Sequence, residues 1–409
     1  MRILIYGINF APEQTGVGKY TSEMATWLSS HGHEVRVVSA PMYYPAWRVG
    51  PGFSASRYQA ERHDDVTVIR CPVYVPAKPS GLRRCIHLAS FALTSFPVAL
   101  WQALSWKPEC VFVIAPTLLC APMAWLSGRA AGATTWLHYQ DLELDAAFAM
   151  RLLGGKFQRW FASSLERWLI RRFDVVSTIS GRMSDKLKEK GVDERRLVSL
   201  PNWVDTHAIR PLNRAGSLRH ELGIPEDAIV ALYSGSMNEK SGLDTIVSAA
   251  RVLSNQREIV FVLCGDGCSR KRIQDSARNL SNVFFLPLQP AERLNELLNM
   301  ADIHLLPQQS SAADLVMPSK LTAILSAGGA VVAAAAKGTE IDNVLRNVSG
   351  GACPPGDSAS WSERILELAR NVEERRRIGE RARTYAMTHC DKSHILSRLA
   401  QHLMQLSRA

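Results

Sequence analysis

Three junctions in the second half of this sequence set small residues and charges where a β-like run gives way to a helical one. They read Tyr233-Ser-Gly235-Ser-Met-Asn-Glu-Lys240-Ser-Gly242, Pro318-Ser319-Lys320 and Gly338-Thr339-Glu340. Backbone N–H groups at a helix start, with a lysine beside them, suit the oxygens of a diphosphate. A carboxylate such as Glu340 suits the hydroxyls of a ribose. Each junction alone also reads as an ordinary capped helix; together they converge on one expected sheet edge.

The first half holds a related junction. Its opening strand runs into Gly7-Ile-Asn-Phe-Ala-Pro-Glu-Gln-Thr-Gly16-Val-Gly18-Lys-Tyr, and a helical pattern follows. Gly16 and Gly18 let a phosphate or sugar approach backbone amides, although the loop is too long for a dinucleotide fingerprint and also fits a flexible turn. Further on, Thr135-Trp-Leu-His138-Tyr-Gln-Asp141 leaves a strand. Period-two alternation puts His138 and Gln140 on one face, with Asp141 at the exit. His138 has the chemistry of a general base or of a group that positions a hydroxyl; a structural histidine inside the strand is the alternative. His31 and His33 close no metal site, and eight scattered cysteines without a CxxC pair read as ordinary buried thiols in a reducing compartment.

These residues need elements to hold them. Apolar strand-like runs at 3–6, 35–39, 66–70, 111–115, 134–138 and 175–179 alternate with helical patterns. The alternation restarts at 229–234, 259–264, 283–286, 303–306, 330–335 and 350–353. That pattern predicts two parallel sheets wound with helices on both faces, with ligand crevices at the carboxyl ends of the strands. A donor on one domain and an acceptor on the other would meet across a cleft. The boundaries read as 1–200, a Pro-rich linker at 201–212, a second domain at 213–385 and a helical tail at 386–409.

The 409 residues carry a formal charge of +10 and a pI near 9.3. Such a surface suits nucleic acid, an anionic membrane or phosphorylated small molecules. No nucleic-acid module is visible, which sets the first aside. The chain starts at once with a strand and has no signal-peptide anatomy, so a cytoplasmic location is expected. The apolar stretches at 85–106 and 111–127 are broken by Pro97, Pro116 and Pro122, short of the ~20 residues of a spanning helix. Two basic, Trp-rich segments, 78–106 and 151–173, suit either a helix lying on an anionic membrane or one packed at home with a solvated basic face.

Read in order, the motifs resemble the GT-B glycosyltransferases of family 4. They comprise Gly16-Val-Gly18, Gly32-His33-Glu34-Val35, Ile179-Ser180, Pro201-Asn202-Trp203-Val204-Asp205, Gly265-Asp266-Gly267, Ala301-Asp302-Ile303, Gly338-Thr339-Glu340 and Pro355-Gly356-Asp357. The branch with Ala11-Pro12-Glu13-Gln14-Thr15-Gly16, Tyr44-Pro45 and Pro318-Ser319-Lys320 is nearest. The resemblance implies a two-domain GT-B fold whose C-terminal helix crosses back to the first domain. It also implies retaining sugar transfer that requires neither a metal nor a cofactor. Donor and acceptor would be GDP-L-fucose and a lipid-diphosphate-linked sugar, in colanic acid exopolysaccharide synthesis at the inner face of the plasma membrane. Donor contacts would fall to Gly16, Gly18, Gly235, Lys240, Pro318, Ser319, Lys320, Thr339 and Glu340, and acceptor-side chemistry to His138 or Asp141. Ser236 and Ser241 replace the family's usual Arg and Lys, and its paired glutamates are missing at Leu315 and Ala323. A nucleotide-sugar epimerase of the same fold and a non-catalytic assembly protein remain alternatives.

Overall fold

Runs of Val, Ile, Leu and Phe bounded by turn residues become strands covered on both faces. The computed structural model describes residues 1–13, 16–78, 80–115, 118–142, 156–212, 216–308 and 319–406. The chain divides into two compact units, Met1–Pro201 with His394–Ala409, and Asn202–Ser393.

The first unit alternates β1 (Arg2–Tyr6), α1 (Gly16–Ser30), β2 (Glu34–Ser39), β3 (Gln59–His63), β4 (Val66–Arg70), α2 (Gly81–Ser105) and β5 (Cys110–Ala115). It continues through α3 (Ala121–Ala131), β6 (Thr134–Tyr139), α4 (Lys156–Ile170), β7 (Val175–Thr178), α5 (Gly181–Glu189) and β8 (Leu197–Ser199). Its eight strands lie in the order β3-β4-β2-β1-β5-β6-β7-β8. All neighbours are parallel except β3 and β4. The winding reverses at β1, which pairs with β2 on one side and β5 on the other.

The second unit holds α6 (Gly216–Glu221), β9 (Ile229–Ser234), α7 (Leu243–Val252), β10 (Ile259–Cys264), α8 (Arg270–Ser276), β11 (Val283–Leu286) and α9 (Leu294–Asn299). β12 (Ile303–Leu306), α10 (Ser319–Ser326), β13 (Val331–Ala333), α11 (Glu340–Val348), α12 (Ser358–Arg370) and α13 (Val372–His389) complete it. Its parallel sheet runs β11-β10-β9-β12-β13, so the reversal falls between β9 and β12.

The last helix, α14 (Lys392–Leu406), belongs to the first unit from His394 onward, the crossing back expected of the fold. The outgoing and returning segments are tied together. Val204 N–H donates to Cys390 O at 2.8 Å and Lys392 N–H to Val204 O at 3.0 Å. The Thr206 hydroxyl donates to Asp391 Oδ2 at 2.6 Å.

Four expectations need correction. The stretch at 85–106 is not broken at Pro97, because α2 continues through it for two more turns. Ala99, Gln102 and Ala103 on its buried side hold that end in place, and packing outweighs the lost N–H. The run at 350–353 makes only an isolated bridge, Ala334 with Cys353. The short strands β3 and β8 lay outside the predicted set. Finally, all eight cysteines are free, but Cys85 and Cys268 are exposed and not buried.

Candidate active site

In an open doubly wound sheet the crevice lies where the winding reverses, at the carboxyl ends of the strands. In the second unit that point is the end of β9, and the residues singled out there come together. Lys320, in the first turn of α10, donates from Nζ to the Tyr233 hydroxyl at 3.1 Å, and Nζ stands 4.7 Å from the centre of that ring. Tyr233 is buried and donates to Ser236 O at 2.6 Å. Gly235 has φ +142°, and a Cβ there would occupy the space of the Lys320 side chain end. Glycine is therefore required both by backbone conformation and by the lysine.

The loops after β9 and β10 lie backbone to backbone. Gly235 N–H donates to Cys264 O at 2.9 Å, and Met237 N–H to Asp266 O at 2.8 Å. Gly265 and Gly267, at φ +146° and +151°, would each drive a Cβ into the neighbouring loop. The two serines that stand for an Arg and a Lys tie the first loop to itself. Ser241 Oγ donates to Ser236 O at 2.8 Å, and Asn238 N–H donates to Ser241 Oγ at 3.3 Å. Lys240 lies in the short 3₁₀ turn Glu239–Ser241, but its side chain falls outside the described residues, as does all of Pro318. Ser319 begins α10 and its carbonyl accepts from the Thr322 hydroxyl.

At the start of α11, Thr339 is the N-cap. Its Oγ1 accepts from Asp342 N–H at 3.3 Å and donates to Ala336 O at 2.9 Å. Asp342 closes the turn from the other side, accepting Gly338 N–H at 2.7 Å and pairing with Arg346 at 2.8 Å. Its part was not legible beforehand, because it depends on three partners spread over about two helical turns. Glu340, the first residue of α11, stays half-exposed beside this cap.

In the first unit the reversal at β1 places residues 7–13 and 16–18 at the crevice. Gly16 has φ +61° and opens α1. Gly18 is packed against Glu13, since a Cβ would come within 2.8 Å of Glu13 Oε2. Glu13, only 4% exposed, is the organising group that sequence reasoning passed over as a motif letter. Its Oε2 accepts from Asn9 Nδ2 at 2.9 Å, and its Oε1 from the N–H groups of Tyr43 and Tyr44 at 3.2 and 3.1 Å. Burial pushes its carboxyl up, opposed by those hydrogen bonds and by the Arg70 guanidinium. Arg70 is buried too, pairing with Glu61 at 2.6 Å and donating to Ala40 O and Ala11 O. The signal available in sequence was an acid between turn formers, in a loop with no other carboxylate.

His138 and Gln140 share the face that alternation assigned them, and they touch: Gln140 Nε2 lies 3.0 Å from His138 Nε2. With that amide donating, the ring proton sits on Nδ1 and goes to Ser177 Oγ at 2.9 Å. The ring is 2% exposed, and burial pushes its pKa down to about 3. His138 is therefore a neutral imidazole with both nitrogens engaged inside the sheet. Asp141 lies half-buried one residue beyond Gln140, at the exit of β6.

The geometry is matched by known proteins. The family model for a glycosyl transferase 4-like domain covers residues 15–203, and that for glycosyl transferases group 1 covers 216–385. The chain is 41% identical over 405 residues to the colanic acid biosynthesis glycosyl transferase WcaI of Escherichia coli K12, spanning 97% of this chain and 98% of that protein. The chain belongs to the group 1 glycosyltransferases. Its enzyme class follows: it is a glycosyltransferase with the GT-B pair of Rossmann-like domains. Among solved structures, sucrose-phosphate synthase of Thermosynechococcus elongatus shares the fold at TM-score 0.77 and 17% identity, over 99% of both chains. HepE of Anabaena in complex with UDP and glucose does so at TM-score 0.71 and 15% identity, again over 99% of both.

Proposed function

We propose that this glycosyltransferase moves L-fucose from GDP-L-fucose to a sugar carried on a lipid diphosphate, in assembly of a colanic acid-type exopolysaccharide. The likeness to WcaI along the whole chain supports the pathway class. HepE, a protein of the same fold, binds UDP and glucose, which supports a nucleotide-sugar donor. The observation that carries the reading is Lys320, fixed by Tyr233 and Gly235 at the reversal point of the second sheet.

Sugar transfer needs the departing diphosphate stabilised and a hydroxyl held in line. In the second unit Lys320 takes the diphosphate, with Gly235 leaving room for the lysine and Lys240, Pro318 and Ser319 beside it. In the first unit the amides near Gly16 and Gly18 suit a phosphate or a sugar. Glu340 takes the ribose hydroxyls, with Thr339 fixing its turn. Asp141 is the acceptor-side group, and His138 acts through Gln140 to set the exit of β6. Anomeric configuration is retained, and neither metal nor cofactor takes part. The enzyme works in the cytoplasm, peripheral to the inner face of the plasma membrane.

The test is to offer GDP-fucose, other GDP-sugars and UDP-sugars with a lipid-diphosphate-glucose acceptor and to weigh the product. Addition of a deoxyhexose from GDP-fucose supports the reading; a hexose or an N-acetyl sugar as the preferred addition overturns the donor. Donor consumed with no acceptor present points to an epimerase instead.

A further inference from the structure

α2 buries one side and leaves the other bare. His87, Phe91, Ala92, Ser95, Ala99, Gln102 and Ala103 are buried, while Leu82, Ile86, Leu93, Trp101 and Leu104 are 74%, 47%, 69%, 62% and 57% exposed. The intervals between these exposed residues, with Pro97 among them, are four, seven, four, four and three, so they form one stripe along the helix. Two tyrosines flank it. Tyr58, 54% exposed, donates its hydroxyl to Thr94 O at 3.0 Å, and Tyr74, 45% exposed, is joined through its N–H to Ser90 Oγ at 2.9 Å. A continuous apolar stripe of this length is unusual on a soluble surface and needs a partner.

Charge selects the partner. Lys78, Arg83 and Arg84 stand at the start of α2 and Lys107 at its end, and no Asp or Glu occurs between Asp65 and Glu109. Glu109 is itself occupied, accepting the Arg2 N–H at 2.7 Å. Glu34, at the far end of the helix, is engaged as well, accepting from Trp106 Nε1 at 2.8 Å and facing Arg36 at 3.6 Å. Aliphatic side chains, aromatic rings at the edge and a cluster of cations at the first turn fit an anionic lipid surface.

By length and composition α2 could cross a bilayer. Its buried side argues against that. Tyr6 hydroxyl and Ser95 Oγ lie 2.6 Å apart, and Arg36 Nη1 donates to Gln102 Oε1 at 2.8 Å, so the helix is fastened to β1 and β2 along its length.

We infer that α2 is an in-plane membrane-docking helix, seated by its Leu82–Leu104 stripe in an anionic leaflet with Arg83 and Arg84 at the headgroups. The same end of the helix reaches the loops of the first crevice. Arg84 stacks over the Trp47 ring at 5.3 Å, Trp47 and Tyr43 pack on His87, and the Tyr43 N–H is held by Glu13. Docking therefore brings Glu13 and the 43–47 loop down toward the lipid surface. That an acceptor waits there rests on the function proposed above; the docking face does not.

Flotation of the full chain with vesicles of phosphatidylglycerol and phosphatidylethanolamine, and with phosphatidylcholine alone, tests this. The wild-type chain is expected to bind the anionic vesicles and to be partly released by salt. L93E/W101E is expected to lose binding by about tenfold or more, and R83Q/R84Q by about tenfold on anionic vesicles only. Met387→Glu, at an exposed apolar position of the second unit, leaves binding unchanged. Circular dichroism checks each fold, and if L93E/W101E does not fold, R83Q/R84Q carries the test. A wild-type chain that ignores anionic vesicles overturns the inference, as does L93E/W101E floating like wild type. So does a dimer, seen by light scattering, that L93E/W101E dissolves without any vesicle bound. Vesicle binding with no turnover of any lipid-diphosphate sugar keeps the docking face and removes the acceptor reading. Turnover of a short-chain soluble acceptor with no vesicle binding does the reverse.

Discussion

Gly235 and Lys320 act as one unit, because the lysine side chain passes through the space that any β-carbon at 235 would fill. Lys320→Ala is expected to raise the dissociation constant of GDP-fucose by about tenfold or more, since hydrogen bonds to charged groups are worth about 1.5–3 kcal/mol. Gly235→Ala should cost a similar amount by displacing the same ammonium group. The double variant should be little worse than either single one, which calorimetric titration of the three can decide. Additive losses would mean that the two residues bind donor independently. At this scale the sequence showed cations and glycines well, because phosphate chemistry is local. It showed Glu13 poorly, because its partners Tyr43 and Tyr44 lie thirty residues away. For His138 alternation predicted the neighbour, Gln140, but not the burial that keeps the ring neutral.

Among elements, the strands buried on both faces were legible because they are unbroken apolar runs. β3, with the sequence Gln-Ala-Glu-Arg-His, was not, since an edge strand pairs through its backbone and needs no apolar face. α2 was misread for the opposite reason: proline is a strong local signal, and here tertiary packing overrides it. A proline inside a helix removes one hydrogen bond and crowds the preceding turn, a cost of about 3 kcal/mol in an isolated case. Pro97→Ala is therefore expected to stabilise the first unit by roughly 1–3 kcal/mol. The urea midpoint should rise; a midpoint that falls would show that the kink is needed for packing.

For the molecule as a whole, both units carry buried histidines held below their ordinary range; in the first, burial lowers His87 and His33 in the same direction as His138. His138 in the first is pushed down to about 3 and His304 in the second to about 4, in both cases chiefly by burial. In the unfolded chain each titrates near 6.5. The unfolded state therefore binds more protons below that pH, and stability falls as pH drops from about 6.5 toward 4. The expected slope is about 1.4 kcal/mol per pH unit for each histidine. Glu13, raised by burial, opposes this by up to one proton over the lower part of the window. Urea melts at a series of pH values should show the loss. A flat profile between pH 6.5 and 5 would mean that these buried rings are protonated in the folded state.

The return of residues 394–409 to the first unit has a consequence for how the protein is made. A ribosome delivers β1 to β8 long before α14, so the first unit must wait, unfinished, while the whole second unit is synthesised and folds. Val198, Leu200 and Pro201 line a small cavity with Ile395, Leu399 and His402, and that lining is completed only by residues made some two hundred positions later. A stop codon just ahead of residue 394 would therefore injure the first unit, although every strand of its sheet had already been made.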